Sequence, residues 1–114
     1  MIIEQNITDE KRTFILKAIK YDNGHFISIS EGEPRIGSIT VSLSITNKSN
    51  TARVIQDKHD QLFVDTLSKR ISMMTNGICI ISLYTKNKLE LEEMKMLNEK
   101  ILSLVEGNDV NRDG

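Results

Sequence analysis

The sequence predicts a single α+β domain, an antiparallel sheet of about five to six strands laid down as a meander with two α-helices on one face. Three observations predict it. Two-residue alternation dominates as far as Ile55, three- and four-residue spacing takes over from about residue 58, and a nearly unbroken apolar run, Ile78 to Tyr84, separates two helical stretches. The 114 residues suffice for one core and are too few for two. Folding a chain of this size buries about 65% of its unfolded surface, so neither metal nor disulfide is needed to hold it.

Met1 to Ile7 is a candidate first strand. From Arg12 to Tyr21, Phe14, Leu16 and Ala18 alternate with Thr13, Ile15, Lys17 and Ile19, so apolar residues fall on both faces, the pattern of a strand covered on two sides. Asp22-Asn23-Gly24 supplies turn chemistry, with Asn and Gly tolerating positive φ, and His25 to Ser30 returns as the second arm of a hairpin. Glu31 to Gly37 holds the only proline and interrupts the ladder. Ser38 to Ile45 then alternates without fault: Ile39, Val41, Leu43 and Ile45 on one side, Ser38, Thr40, Ser42 and Ser44 on the other, a hydroxyl face that is either wet or closely apposed to another surface.

Thr46-Asn47-Lys48-Ser49-Asn50 has no apolar residue and reads as a mobile loop, followed by a short strand, Ala52 to Ile55. Leu62, Phe63, Leu67, Ile71 and Met74 define a helical stripe between about Lys58 and Asn76. Asp57 or Asp60 is placed to cap its start, Asn76-Gly77 to end it, and Asp65, Lys69 and Arg70 to face water. Ile78 to Tyr84 reads as a central strand. Asn87 and Glu90 have capping-box spacing, and Met94, Leu97, Ile101 and Leu104 form the stripe of a second helix ending near Glu106. Residues 1–107 are thus expected to form the domain and 108–114 a disordered tail.

Charge and composition exclude several functions. With 15 Lys and Arg against 16 Asp and Glu, the chain has no electrostatic footprint for nucleic acid or membrane, and no apolar run approaches the length of a membrane span. The single cysteine, Cys79, lies in an apolar run, which reads as a reduced core thiol of a cytoplasmic protein. No catalytic, cofactor-binding or metal-ligating set is expected. Cys79 with His25 or His59 is the sole thiol pairing available, and burial raises a thiol's pKa and starves it of thiolate. Both histidines read as surface residues flanking a turn and a helix, outside any metal-ligand spacing. Glu31 and Glu33 are neighbours in a turn, and Gly32, Gly37 and Ser38 lack the lysine and helix start of a phosphate loop. Met73 and Met96 fall off their helical stripes and are candidates for half-exposed contacts.

The ordered run Gly37 to Leu43, Ala52 to Ile55, a helix around Leu62 to Ser72, then Gly77 to Leu83 leading into Leu91 to Leu97 resembles the small proteasome assembly chaperones, types 3 and 4. The likeness extends over roughly residues 10 to 105 and lies in element order, without a diagnostic motif. It implies a non-enzymatic, cofactor-free chaperone, a homodimer or a heterodimer with a related chaperone, that binds proteasome α-subunits while the 20S α-ring assembles. Dimers of that family pair sheet against sheet with helices outside, which fits the two apolar faces of Arg12 to Tyr21. Phe14, Leu16 and Ala18 are the expected dimer contacts. Some related chaperones end in a hydrophobic residue, a tyrosine and a final residue that docks between α-subunits; this chain ends Val110-Asn111-Arg112-Asp113-Gly114, so tail docking is not expected. Exposure alone points to partner contacts in the two polar connections, at Glu33 and Arg35 and at Asn47, Lys48 and Asn50. The alternative is a roadblock- or longin-like dimeric adaptor. Such adaptors open with a helix or a two-strand hairpin leading into one, whereas at least three strands precede the first helix here.

Overall fold

Strands β1 (Ile2–Asp9), β2 (Arg12–Tyr21), β3 (Gly24–Glu31), β4 (Ser38–Ile45) and β5 (Lys48–Ile55) precede helix α1 (Gln61–Thr75), strand β6 (Ile78–Tyr84) and helix α2 (Leu91–Asn111). The computed structural model describes residues 2–9, 11–46 and 48–111, the side chains of residues 2, 9 and 107–111 excepted. One sheet holds all six strands in the order β1-β2-β3-β6-β4-β5. The fold class is the expected α+β, but the meander is not: β6 sits between β3 and β4, parallel to β3 and antiparallel to β4. An apolar strand gains most by lying centrally, and β6 takes that place after both of its neighbours have been laid down.

The insertion demands close approach at both ends of β6. A Cβ on Gly24 would collide with the carbonyl oxygen of Ile78, and one on Gly37 with that of Leu83. Gly24 therefore serves packing, not turn curvature. Positive φ occurs instead at Gly32, Thr46 and Asn76 among the described residues, so the expected left-handed turn at Asn23-Gly24 is absent although the hairpin is there. Asn76 (φ 51°) ends α1 as its sequence suggests, and the Gly77 N–H donates to the Ser72 carbonyl at 3.0 Å.

Four further expectations change. Residues 48–50 do not form a loop: β4 and β5 join in a tight hairpin, with Lys48, Ser49 and Asn50 opposite Ile45, Ser44 and Leu43. The α1 stripe buries Val64, Leu67, Ser68, Ile71 and Ser72, leaving Leu62 and Met74 exposed. Asp65 is not free in water, because Arg53 of β5 reaches it at 2.6 Å. Finally, α2 starts at Leu91 and passes the expected stop to reach Asn111. Its cap is Glu90, whose carbonyl accepts the Met94 N–H and whose own N–H donates to Glu93 at 2.8 Å; the box lies three residues beyond Asn87.

Both helices pack on one side of the sheet. Phe14, Leu16, Ile27, Ile29, Cys79, Ile81 and Leu83 meet Leu67 and Ile71 of α1 and Leu97 and Ile101 of α2 in one core cluster. Arg12 clamps the edge of this core. Its guanidinium reaches Glu31 and Glu93 at 2.7 Å each, and donates to the carbonyls of Asn87 (2.8 Å) and Lys88 (3.1 Å). Glu31 also accepts the Lys86 N–H, and this arginine-centred bonding holds its carboxyl below the ordinary range.

Candidate interaction surface

Alternation along each strand divides the sheet into two faces, and pair register assigns every residue to one. Phe14, Leu16 and Ala18 pair with Glu31, Ile29 and Ile27, and Ile29 and Ile27 pair onward with the buried Leu83 and Ile81 of β6. They belong to the helix side. At 0%, 0% and 6% exposure they are spent in the domain's own core, so the expectation that they contact a second copy is overturned: a residue with no surface left has none to give a partner.

Among the described residues, no helix lies over the other face. Row by row across the sheet, Ile19, Phe26, Ile80, Val41 and Ala52 are register neighbours on five successive strands, and Ile78 and Leu43 pair beside them. Ile39 extends the patch along β4, while Ile15 stands apart on the same face, separated from Ile19 by Lys17 and paired with Ser30. Apart from the exposed Ala52, these side chains are half-buried. A contiguous apolar area in the middle of an uncovered sheet face is a candidate interaction site. Its margins are polar: Glu4 lies opposite Lys17 on the β1–β2 side, and Lys48 and Asn50 lie opposite Ile45 and Leu43 at the far hairpin.

The residue type of β4 explains why its apolar side is left open. Its hydroxyl side lies under α1, where Ser42 Oγ bonds Ser68 Oγ at 2.7 Å and Thr51 at 2.8 Å, and Gln61 donates to Thr40 at 3.0 Å. Of the two readings of that hydroxyl face, close apposition is the correct one. Small side chains on both elements bring the helix near the sheet, and the buried hydroxyls of Thr40, Ser42 and Ser68 each have a partner.

The expected partner contacts fall into two separate places. Glu33 and Arg35 lie in the β3–β4 connection, which crosses the end of β6 on the open side: Ser30 Oγ donates to the Glu33 carbonyl and accepts the Arg35 N–H, and Ser82 Oγ accepts the Gly37 N–H at 3.1 Å. The Arg35 guanidinium stacks over Tyr84, 5.0 Å from the ring centre. Lys48 and Asn50 lie at the opposite end of β4, about 20 Å away at the rise of a strand. Asn47 lies outside the described residues. The two groups flank the open face from opposite ends and form no common site.

The residues considered for chemistry are arranged against it. Cys79 is fully buried and its thiol is pushed up to about 12 by desolvation. His25 is not the surface residue expected. It is 7% exposed, lies beside Cys79 in the β3–β6 ladder, and neither ring nitrogen has a hydrogen-bond partner among the described residues. Desolvation, with Lys20 across the hairpin, lowers its pKa. A protonated thiol beside a neutral imidazole provides neither nucleophile nor ion pair. His59 is exposed, its backbone N–H held by Asp57. Asp60 at the start of α1 gives its carboxylate to the Leu89 N–H, and burial raises its pKa.

Sequence reasoning missed Ile15, Ile19, Phe26, Ile39, Val41 and Leu43 as candidate contacts. The available signal was the β4 hydroxyl row together with Ser68 and Ser72 on α1, two small polar surfaces that fit only each other. No helix among the described residues is long and apolar enough to cross a membrane.

No protein-family model matches the chain, and no curated protein does. Among solved structures, the chain is similar to one in a chaperone complex for yeast 20S proteasome assembly, at 10% sequence identity and a TM-score of 0.62, covering 91% of this chain and 96% of that one. The likeness is one of fold, and it spans nearly the whole of both chains.

Proposed function

We propose that this protein is a non-enzymatic, dimeric proteasome assembly chaperone of the type 3 and 4 kind that acts in the cytoplasm, binding α-subunits during assembly of the 20S α-ring. The observation that carries this reading is the near end-to-end fold likeness to a chain of a yeast 20S assembly chaperone complex. The open apolar face supports it independently. A second sheet packed at about 10 Å would cover Phe26, Ile80 and Val41 and leave both helix layers outside, and the partner is a second copy or a related chain. Glu33, Arg35, Lys48 and Asn50, at the ends of that sandwich, remain accessible to an α-subunit.

The test is size-exclusion chromatography with light scattering, on the protein alone and mixed with each isolated proteasome α-subunit. A dimer that enters a larger complex with one α-subunit is expected. A dimer that shifts with none overturns the proteasome reading and leaves a dimeric adaptor as the better account.

A further inference from the structure

The outer side of the helix layer carries a second apolar surface that the sheet-to-sheet dimer leaves uncovered. A groove of about 480 Å³ runs between the first turns of α1 and α2, floored by Leu62, Phe63, Leu67 and Met94. At Thr66 it meets a second depression of about 560 Å³ along α1, lined by Met73 and Met74. Leu62 is 80% exposed and Met73 52%, large side chains that contribute little to the core. Leu62, Thr66 and Met73 follow helical spacing, so the surface extends for about three turns.

Its charge is one-sided. Lys88 and Lys95 border the first depression, Lys69 and Arg70 the second, and none of the four forms an ion pair among the described residues. The one carboxylate in the lining, Asp60, is buried and already holds the Leu89 N–H. Glu92 and Glu99 of α2 do not line the surface. In a chain of net charge −1, four unpaired cations around one apolar groove are a local concentration.

We propose that this α1–α2 surface docks an acidic amphipathic helix of a partner protein, with apolar anchors over Leu62, Phe63 and Met73 and carboxylates beside Lys69, Arg70, Lys88 and Lys95. A seam between helices receives a helix at its i, i+3, i+4 and i+7 positions, and methionine and leucine adapt to anchors of different shape. Concavity favours a helix over an anionic membrane, which a flat or convex basic face would suit better. The inference names a chemistry and does not depend on the proteasome reading.

The test titrates fluorescein-labelled amphipathic helical peptides into the full-length protein and follows anisotropy. One peptide carries glutamates around a leucine stripe; a second carries lysines at the same places. The acidic peptide is expected to bind at least about tenfold more tightly, with affinity falling as salt rises. Lys69→Glu with Lys95→Glu removes that preference, and Leu62→Ser weakens both peptides. Amide chemical shifts of the unaltered protein report the location without any variant: changes are expected at Leu62, Thr66, Met73 and Lys95. Equal binding of the two peptides, no binding of either, shifts confined to the open sheet face, or binding to phosphatidylglycerol vesicles without the acidic peptide would each overturn the proposal. Dimerisation and α-subunit capture are read separately, so failure here leaves the chaperone reading untouched.

Discussion

Strands β2 and β4 alternate with the same period and meet the same helix layer, yet they place their apolar residues differently. In β2, Phe14, Leu16 and Ala18 go under the helices and Ile15 and Ile19 face out; in β4, Ser38, Thr40, Ser42 and Ser44 go under α1 and every apolar side chain faces out. Hydrophobicity therefore does not identify the inner face of this sheet. Fit to the covering element does: the bulky residues of β2 share a core with Leu97 and Ile101 of α2, and on β4 Ser42 meets Ser68 of α1 at hydrogen-bond distance. What is left apolar on the outside of β4 is surface without a use in a monomer.

The sharpest way to break this comparison is to truncate neighbours of opposite parity. Phe14→Ala is expected to cost about 3–5 kcal/mol, as for other fully buried aromatic residues, and Ile15→Ala under about 1 kcal/mol in the monomer, both measured by urea unfolding at low protein concentration. Equal losses would show that the two faces of β2 are covered alike. On β4, Ser42→Ala leaves the hydroxyls of Ser68 and Thr51 without that partner and is expected to cost about 1–3 kcal/mol. Val41→Ser, its neighbour on the open side, is expected to leave monomer stability nearly unchanged and to weaken self-association.

A smaller effect separates the two buried titratable groups of β3. His25 is held neutral by burial, so its folded pKa lies below the 6.5 of the free side chain. The unfolded chain takes up a proton first, and stability falls as pH drops below 6.5 towards the folded value. Glu31 is shifted down from 4.5, so its contribution is intact above that pH and is lost only as pH falls through its lower folded value. Thermal unfolding between pH 7.5 and 5.0 is expected to show a decline that His25→Leu flattens and Arg12→Ala does not. An unchanged decline in His25→Leu would assign it to other groups.

Much of the fold was legible because it is local. The bounds of β2 and β6, the hairpin after Tyr21 and the Asn76 stop of α1 follow from periodicity and turn residues within a few positions. The place of β6 between β3 and β4 was not legible, since pairing between residues more than thirty apart leaves no periodic trace; Gly24 and Gly37 record it only as missing side chains at its two ends. The turn into β5 escaped notice because Thr46 adopts positive φ, where glycine or asparagine is the usual sign. The interaction face was half legible. Two apolar faces on β2 indicate a second covering layer, but nothing in β2 alone says which face the helices take.

The most direct test of the account is the mass of the protein in solution, by size-exclusion chromatography with light scattering, for the unaltered chain and for Val41→Asp. The account predicts a dimer for the first and a folded monomer with native circular dichroism for the second. A monomeric unaltered chain, or a Val41→Asp variant that stays dimeric, would contradict the assignment of the open sheet face as the place where two chains meet.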